Sequence, residues 1–181
     1  MPYSNKESIN FQDLMLNRIH EILLVASPYD AFILEEDGRL TQQILYEYLG
    51  MNLSYAPRVW HAENATTGLQ MLSDRSYDLV IVMMRISDMD PITFGERVKN
   101  DYPDKPVILL AFDESEITTL PQKRLNKSID RVYIWSGNAN VFPAIIKNIE
   151  DSMNLERDQK IADIRSIVMV EDNPRYYSII L

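Results

Sequence analysis

The sequence has no cysteine, only five glycines in 181 residues, and no apolar run longer than a strand. Without cysteine the chain has neither disulfides nor thiolate metal sites, which fits a reducing compartment, and we expect a cytoplasmic location. The short apolar runs predict no membrane-spanning helix, and no signal peptide is visible. Positive charge is scarce as well. The net charge of −9 argues against nucleic acid or an anionic membrane as partner.

Motifs of catalysis are also missing. The sequence shows no Gly-rich phosphate loop, no serine–histidine–acid order and no metal-ligand spacing. It therefore predicts that this chain is not an enzyme, and that any catalytic activity would lie in a region outside it.

Strand-sized apolar runs alternate with segments of helical periodicity along the chain. The runs span residues 21–27, 57–62, 77–84, 105–112 and 130–135. This alternation predicts βαβ crossovers and an α/β fold, with a five-stranded parallel sheet between two layers of helices. Asn64 is expected to cap one helix. Pro121 and the polar residues after it are expected to end or fray another.

Two stretches resemble the receiver domain of two-component response regulators: "HAENATTGLQMLSDRSYDLVIV" (61–82) and "YPDKPVILLAF" (102–112). The resemblance spans roughly residues 20–150 and implies a flavodoxin-like three-layer sandwich. Members of this family accept a phosphoryl group on an aspartate that ends the third strand. Two acids after the first strand hold Mg²⁺, and a hydroxyl, a lysine and an aromatic residue on the last two strands respond to the phosphate.

In this chain every one of those family positions holds a different kind of residue. We call the six positions the degenerate pocket: Ala26 and Ser27 replace the acidic pair, Met83 the phosphate acceptor, Ala111 the hydroxyl, Trp135 the lysine and Val132 the aromatic residue. The resemblance therefore implies a pseudo-receiver with no catalytic residue, no cofactor and no metal site in this domain.

Two alternatives keep a role for chemistry or for a ligand. Four acids between residues 30 and 37 would rebuild a metal site if they folded back, but a solvated loop over 28–38 with residues 32–34 packed inward is favoured. Asp88 and Asp90 would serve as displaced acceptors in a phosphorylation-dependent receiver. Met83, Met84, Met89 and Trp135 would line the vacated pocket of a small-ligand sensor, although core packing is the more ordinary use of such side chains.

The two ends carry signals of their own. We expect residues 1–19 to form an extra amphipathic helix, 20–152 the receiver-like domain and 153–164 a helical linker. Residues 165–181 repeat the pattern of the first strand and of the residues after it. This second strand would end in Glu171 and Asp172, which predicts the opening of a second receiver. Those two acids would bind Mg²⁺ only in a complete second receiver. We expect residues 166–171 not to join the first sheet as a central strand.

The predicted function is a regulatory or protein-interaction module in signal transduction of the phosphorelay type. Its expected partners are neighbouring receiver or output domains of the same polypeptide. A second copy of the chain, in a homodimer, is the alternative partner. The segments "FILEEDGRL" (32–40) and "YLGMNLSYAPRVW" (49–60) also resemble proteins in which tandem receivers precede a phosphoenolpyruvate synthase-like region.

Overall fold

A computed structural model describes residues 15–36, 39–50, 55–137 and 140–162, together with residues 174 and 178. The strands are β1 (Glu21–Val25), β2 (Arg58–Ala62), β3 (Leu79–Met83), β4 (Val107–Ala111) and β5 (Arg131–Ile134). The helices are α1 (Pro28–Glu36), α2 (Leu40–Gly50), α3 (Ala65–Asp74), α4 (Pro91–Asp101), α5 (Glu114–Thr118), α6 (Gln122–Ser128) and α7 (Val141–Ala162).

All five strands run parallel in one sheet of order β2-β1-β3-β4-β5. Within it, Val25 on β1 pairs with Val82 on β3, and Met83 on β3 pairs with Leu110 on β4. Parallel neighbours require crossover connections, and the helices supply them. The predicted α/β fold with a five-stranded parallel sheet is confirmed.

The sheet separates two apolar cores. Every residue of β3 and β4 is buried, as expected for central parallel strands covered on both faces. Side chains from α1, α2 and α7 pack on one face, and side chains from α3, α4, α5 and α6 pack on the other. The prediction of helices on both faces is therefore also confirmed.

The loop predicted over residues 28–38 is wrong for its described part, because residues 28–36 form α1. Ser27 begins this helix: its hydroxyl accepts the N–H of Asp30 at 3.1 Å, and its carbonyl accepts the N–H of Ala31 at 2.9 Å. Pro28 suits the first helical position, where its missing N–H is not needed. Of the residues expected to pack inward, Leu34 is buried, but Phe32 is 62% exposed on the opposite side of the helix.

Two further expectations about helices need correction. The short helix after β4 ends at Thr118, ahead of Pro121, as predicted. The polar residues after Pro121 were not expected to be helical, but residues 122–128 form α6 and bury Leu125 against the sheet. The amphipathic helix predicted at the N-terminus is wrong over residues 15–19, which are not helical. Residues 1–14 lie outside the described part of the chain.

The last helix is longer than the sheet it covers. α7 has 22 residues and continues without a break from Val141 to Ala162, past residue 152 where the receiver-like domain was predicted to end. No helix in the described ranges combines the length and hydropathy that crossing a membrane requires.

Candidate functional site

Five of the six degenerate-pocket positions lie at the carboxyl edge of the sheet, where ligands bind in open α/β folds, and Val132 lies within β5. Ala26 directly follows β1, Met83 ends β3 and Ala111 ends β4. Trp135 follows β5, and its main-chain N–H donates to the Ala111 carbonyl at 2.8 Å, so these two positions are neighbours. The register predicted from sequence therefore places these residues at the expected strand ends.

The sheet divides the pocket positions between its two faces. Ala26, Met83 and Trp135 belong to the core beneath α1, α2 and α7. Ala111 and Val132 belong to the core on the other face. Only the first three form one apolar group.

This apolar group is closed to solvent. Ala26 and Met83 are 0% exposed and Trp135 is 6% exposed. Phe112 packs against Trp135 edge to face, with ring centroids 5.4 Å apart. The side chains supply packing and bring no carboxylate or amine to the strand ends. Ser27 carries the one hydroxyl among the six positions, and it caps α1.

Asp88 lies beyond the end of β3 and caps a neighbouring helix. Its Oδ1 accepts the N–H of Ala65 at 2.8 Å, and its Oδ2 accepts the N–H of Thr66 at 2.9 Å. A hydrogen bond from the Thr66 side chain is the main cause that lowers the pKa of Asp88 from its ordinary value. The carboxylate is thus held in its charged form at the N-terminus of α3, where negative charge is favourable.

Asp90 has the same task for α4. Its Oδ1 accepts the N–H of Thr93 at 2.9 Å, and its Oδ2 accepts the Thr93 hydroxyl at 2.5 Å. Burial alone would raise the pKa of Asp90, but the Thr93 hydrogen bonds and the charge of Arg124 outweigh burial and lower it. Both acids that were considered as displaced acceptors therefore act as helix caps.

The acids of the α1 region do not converge. Asp30 is 1% exposed, and its Oδ2 is buried without a hydrogen-bond partner in the structure. Glu35 is exposed and accepts the N–H and hydroxyl of Thr41, while Glu36 is exposed. Asp37 lies outside the described residues. Over the described ranges, no group of three or more acidic or histidine side chains is arranged to hold a metal ion.

Sequence reasoning missed a set of buried polar side chains on α7. Glu150, Asn154 and Asp158 are each at most 3% exposed, although the sequence predicted only a helical linker beyond residue 152. Their spacing of four residues was the available signal, since it places all three on one helical face. The spacing does not reveal which residues cover these side chains, because the covering residues, 15–19, lie near the other end of the chain.

The C-terminal segment touches the sheet edge at one described point. The Ser178 hydroxyl accepts the N–H of Ile134 on β5 at 3.0 Å and donates to the Pro174 carbonyl at 2.5 Å. Glu171, Asp172 and the segment 166–171 lie outside the described residues. Their predicted roles stay predictions.

Comparison with solved structures supports the architecture. The signal receiver domain of an HD domain-containing protein from Pseudomonas fluorescens Pf-5 is 27% identical, with a TM-score of 0.56 over 80% of this chain and 96% of that one. The chain therefore has the response regulator receiver (CheY-like) fold.

Two other receiver structures align with the chain at lower identity. A receiver domain protein from Methanospirillum hungatei JF-1 is 20% identical, with a TM-score of 0.57 over 76% of this chain and 98% of that one. TrrA from Thermotoga maritima, a response regulator in complex with Mg²⁺ and BeF, is 19% identical, with a TM-score of 0.51 over 72% and 99%. No family model and no curated protein matches the sequence.

Proposed function

We propose that this protein is a signal-transduction module of receiver type that does not accept a phosphoryl group and acts through contacts with other protein domains. Its receiver fold and its 27% identity to a signal receiver domain support the signalling role. The state of the degenerate pocket supports the loss of phosphorylation.

The observation that carries the proposal is the burial of Met83 at the acceptor position. Phosphoryl transfer needs an anionic nucleophile with a cation that neutralises charge on the transferred group. Met83 offers a thioether with 0% exposure, packed in the same core as Ala26 and Trp135. Mg²⁺ prefers oxygen ligands, and Ala26 and the helix-capping Ser27 stand in place of the acidic pair. With Trp135 in place of the lysine as well, these positions supply no cation to neutralise the charge of the transferred group.

The two alternatives receive less support from the geometry. A receiver that uses Asp88 or Asp90 would have to take a carboxylate away from a helix N-terminus, where it already accepts two hydrogen bonds. A ligand sensor would need space among Ala26, Met83 and Trp135, whose side chains are buried in one core, with Phe112 packed against Trp135.

The context of the module is part of the same proposal. Residues 165–181 would open a second receiver, with Glu171 and Asp172 as its acidic pair and Mg²⁺ as its ion once that domain is complete. Neighbouring receiver or output domains of one polypeptide would be the partners, in a protein of the kind whose tandem receivers precede a phosphoenolpyruvate synthase-like region. This chain would then position the neighbouring domains and offer them a contact surface, and it would catalyse no reaction itself.

The fluorescence of Trp135 provides a direct test, since this side chain occupies the position of the family's lysine. The sequence has two tryptophans, so a Trp60→Phe variant leaves Trp135 as the single reporter. Titration with Mg²⁺ and beryllium fluoride, a phosphoryl mimic, should leave its emission unchanged. Urea unfolding of the same sample should shift the emission, which shows that the reporter responds to its surroundings.

A competent receiver domain treated in parallel serves as the positive control. A saturable change in Trp135 emission that requires both Mg²⁺ and beryllium fluoride would contradict the proposal. Such a result would favour a receiver that uses displaced acids.

A further inference from the structure

Three polar side chains of α7 are buried where a surface helix would be expected to face solvent. Glu150, Asn154 and Asp158 are 0%, 1% and 3% exposed. Acids and amides are rarely buried to this degree unless their hydrogen bonds are satisfied. The cover on this face must therefore supply hydrogen-bond donors.

Residues 15–19 are that cover. Each of the three α7 side chains accepts a hydrogen bond from the main-chain N–H of an alternate residue in this segment. The three bonds are Ile19 N to Glu150 Oε1 at 3.0 Å, Asn17 N to Asn154 Oδ1 at 2.9 Å, and Met15 N to Asp158 Oδ2 at 2.9 Å. The segment runs antiparallel to α7, since its residue numbers fall as those of the helix rise.

The match of spacings explains why three successive bonds form. Four residues of α-helix rise about 6 Å, and two residues of extended chain span about 6.6 Å. When an extended segment lies beside a helix, every second N–H of the segment therefore falls next to every fourth residue of the helix. The two spacings differ by less than about 1 Å per step, so the match holds over three steps. Along this face, α7 offers side-chain acceptors where a neighbouring strand would offer carbonyls.

The middle step is the most complete. Asn154 accepts the N–H of Asn17 through Oδ1 and donates to the carbonyl of Asn17 through Nδ2 at 2.8 Å. Both main-chain groups of Asn17 are thus satisfied by one side-chain amide. The Asn17 side chain adds a longer contact to the carbonyl of Met153 at 3.4 Å.

The first step involves a fully buried carboxylate. Glu150 accepts from the hydroxyl of Tyr48 at 3.1 Å and lies 3.5 Å from the Arg18 guanidinium and 3.3 Å from the Lys147 ammonium. Burial is the main cause that raises the pKa of the Tyr48 hydroxyl, and the charge of Glu150 adds to it. A buried carboxylate needs such partners, and residues 18 and 19 provide two of them.

In the described part of the chain, the second half of α7 buries no large apolar side chain. Its large apolar side chains, Met153, Leu155 and Ile161, are each more than 40% exposed. The exposed Glu156–Lys160 pair, 3.9 Å apart, contributes little to helix stability. We infer that residues 15–19 form a strap that holds residues 150–162 of α7 on the domain. The strap thereby couples the N-terminal segment to the point where the chain continues after α7.

Hydrogen exchange of the full chain, followed by mass spectrometry over residues 150–162, measures how often this half opens. Asn154→Ala and Asp158→Ala should each raise its exchange roughly tenfold to hundredfold, because a part-buried main-chain donor loses its acceptor and the strap loses one of its three bonds. Glu156→Ala removes the same charge as Asp158→Ala from an exposed position of the same helix. It should leave the exchange rate within about twofold, and β3 and β4 should stay protected in all three variants.

A second pair of variants tests whether the strap is the cause. Asn17→Pro removes the N–H that Asn154 accepts, whereas Asn17→Ala keeps it and loses only the weaker side-chain contact. Asn17→Pro should reproduce the effect of Asn154→Ala, and Asn17→Ala should not. Combining Asn17→Pro with Asn154→Ala should add less than about twofold, because both changes break one interaction. Multiplicative effects in the double variant, or equal protection of α7 in Asn154→Ala and the parent chain, would overturn the inference.

Discussion

Replacing Met83 by aspartate would place a carboxylate at the position that the resemblance equates with the family's acceptor, and it would leave the rest of the degenerate pocket unchanged. Met83 is 0% exposed and packs in the core that contains Ala26 and Trp135. A carboxylate there would have no cation and no acidic partner pair for Mg²⁺. We expect Met83→Asp to lose stability and to gain no phosphorylation.

The expected loss has two parts. Burial of a methionine side chain contributes about 1.5–3 kcal/mol that the shorter aspartate would forfeit. An unpaired polar group in an apolar site costs a further ~1–3 kcal/mol. The free energy of unfolding should therefore fall by about 2.5–6 kcal/mol, a large part of the ~5–15 kcal/mol that typically stabilises a domain.

The loss should also depend on pH. Burial raises the pKa of a carboxyl group above the ordinary value of about 3.9 for aspartate. The neutral acid is present in both folded and unfolded chains below that value, so the ionisation part of the penalty is absent there. As the pH rises above about 4, the unfolded chain ionises first and the variant becomes progressively less stable.

Urea unfolding of Met83→Asp at pH 5 and pH 8 measures both effects. Met83→Leu conserves volume and polarity and should cost less than ~1.5 kcal/mol. Met84→Asp introduces the same residue at the adjacent, half-buried position and should cost less than Met83→Asp. The reasoning is refuted if Met83→Asp unfolds at the parent urea concentration, or if Mg²⁺ stabilises the variant and a small phosphodonor modifies it.

Three other predictions follow from local geometry. Asp90→Ala should lower the free energy of unfolding by ~0.5–2 kcal/mol in thermal or urea unfolding. Because the pKa of Asp90 is lowered in the folded chain, this stabilisation should be present above pH ~4 and fade as the pH falls through the folded pKa. A difference between variant and parent that does not change with pH would contradict this. Gly95→Ala would place a Cβ 2.6 Å from the Ser128 carbonyl and should cost ~1–3 kcal/mol, whereas Gly50→Ala meets nothing within 4 Å and should not, so equal melting of the two would refute the packing argument. Deletion of residues 165–181 should leave cooperative unfolding nearly unchanged and reduce any self-association in sedimentation, and a large drop in melting temperature would place the tail in the core.

The sheet was predictable because its signal is local. Central strands such as β3 and β4 are continuous apolar runs, and such a run can be recognised from its own residues without knowing which helices pack on it. The caps were similarly readable: Asn64 accepts the N–H of Thr67 at 2.8 Å, as the prediction of a cap required. The strand ends beside Ala26, Met83 and Ala111 were predictable from the same runs, and the assignment of these residues to the family's pocket stays a prediction.

The first helix was missed because two local signals compete. The acids near residue 36 and Gly38 favour a loop, while Ser27 and Pro28 favour a helix start. The structure satisfies both signals. α1 ends at Glu36, and the next described residue, Arg39, has a positive φ of 46° before α2 begins.

The polar face of α7 was missed for a different reason. Its acceptors bind main-chain N–H groups, which every residue except proline carries, so the donors leave no mark in the sequence. Met15 and Asp158 are also 143 residues apart, beyond any periodicity window. Glu150, Asn154 and Asp158 therefore have the spacing of a helical face without any indication of what buries it.

The central claim is that the domain accepts no phosphoryl group, and intact-mass measurement after treatment with a small phosphodonor and Mg²⁺ tests it most directly. If the buried Met83 occupies the acceptor position, as we propose, the mass of the chain should stay unchanged while a competent receiver in the same tube gains one acid-labile phosphoryl group. Stoichiometric addition of a phosphoryl group to this chain, abolished by Asp88→Asn or Asp90→Asn, would contradict the account.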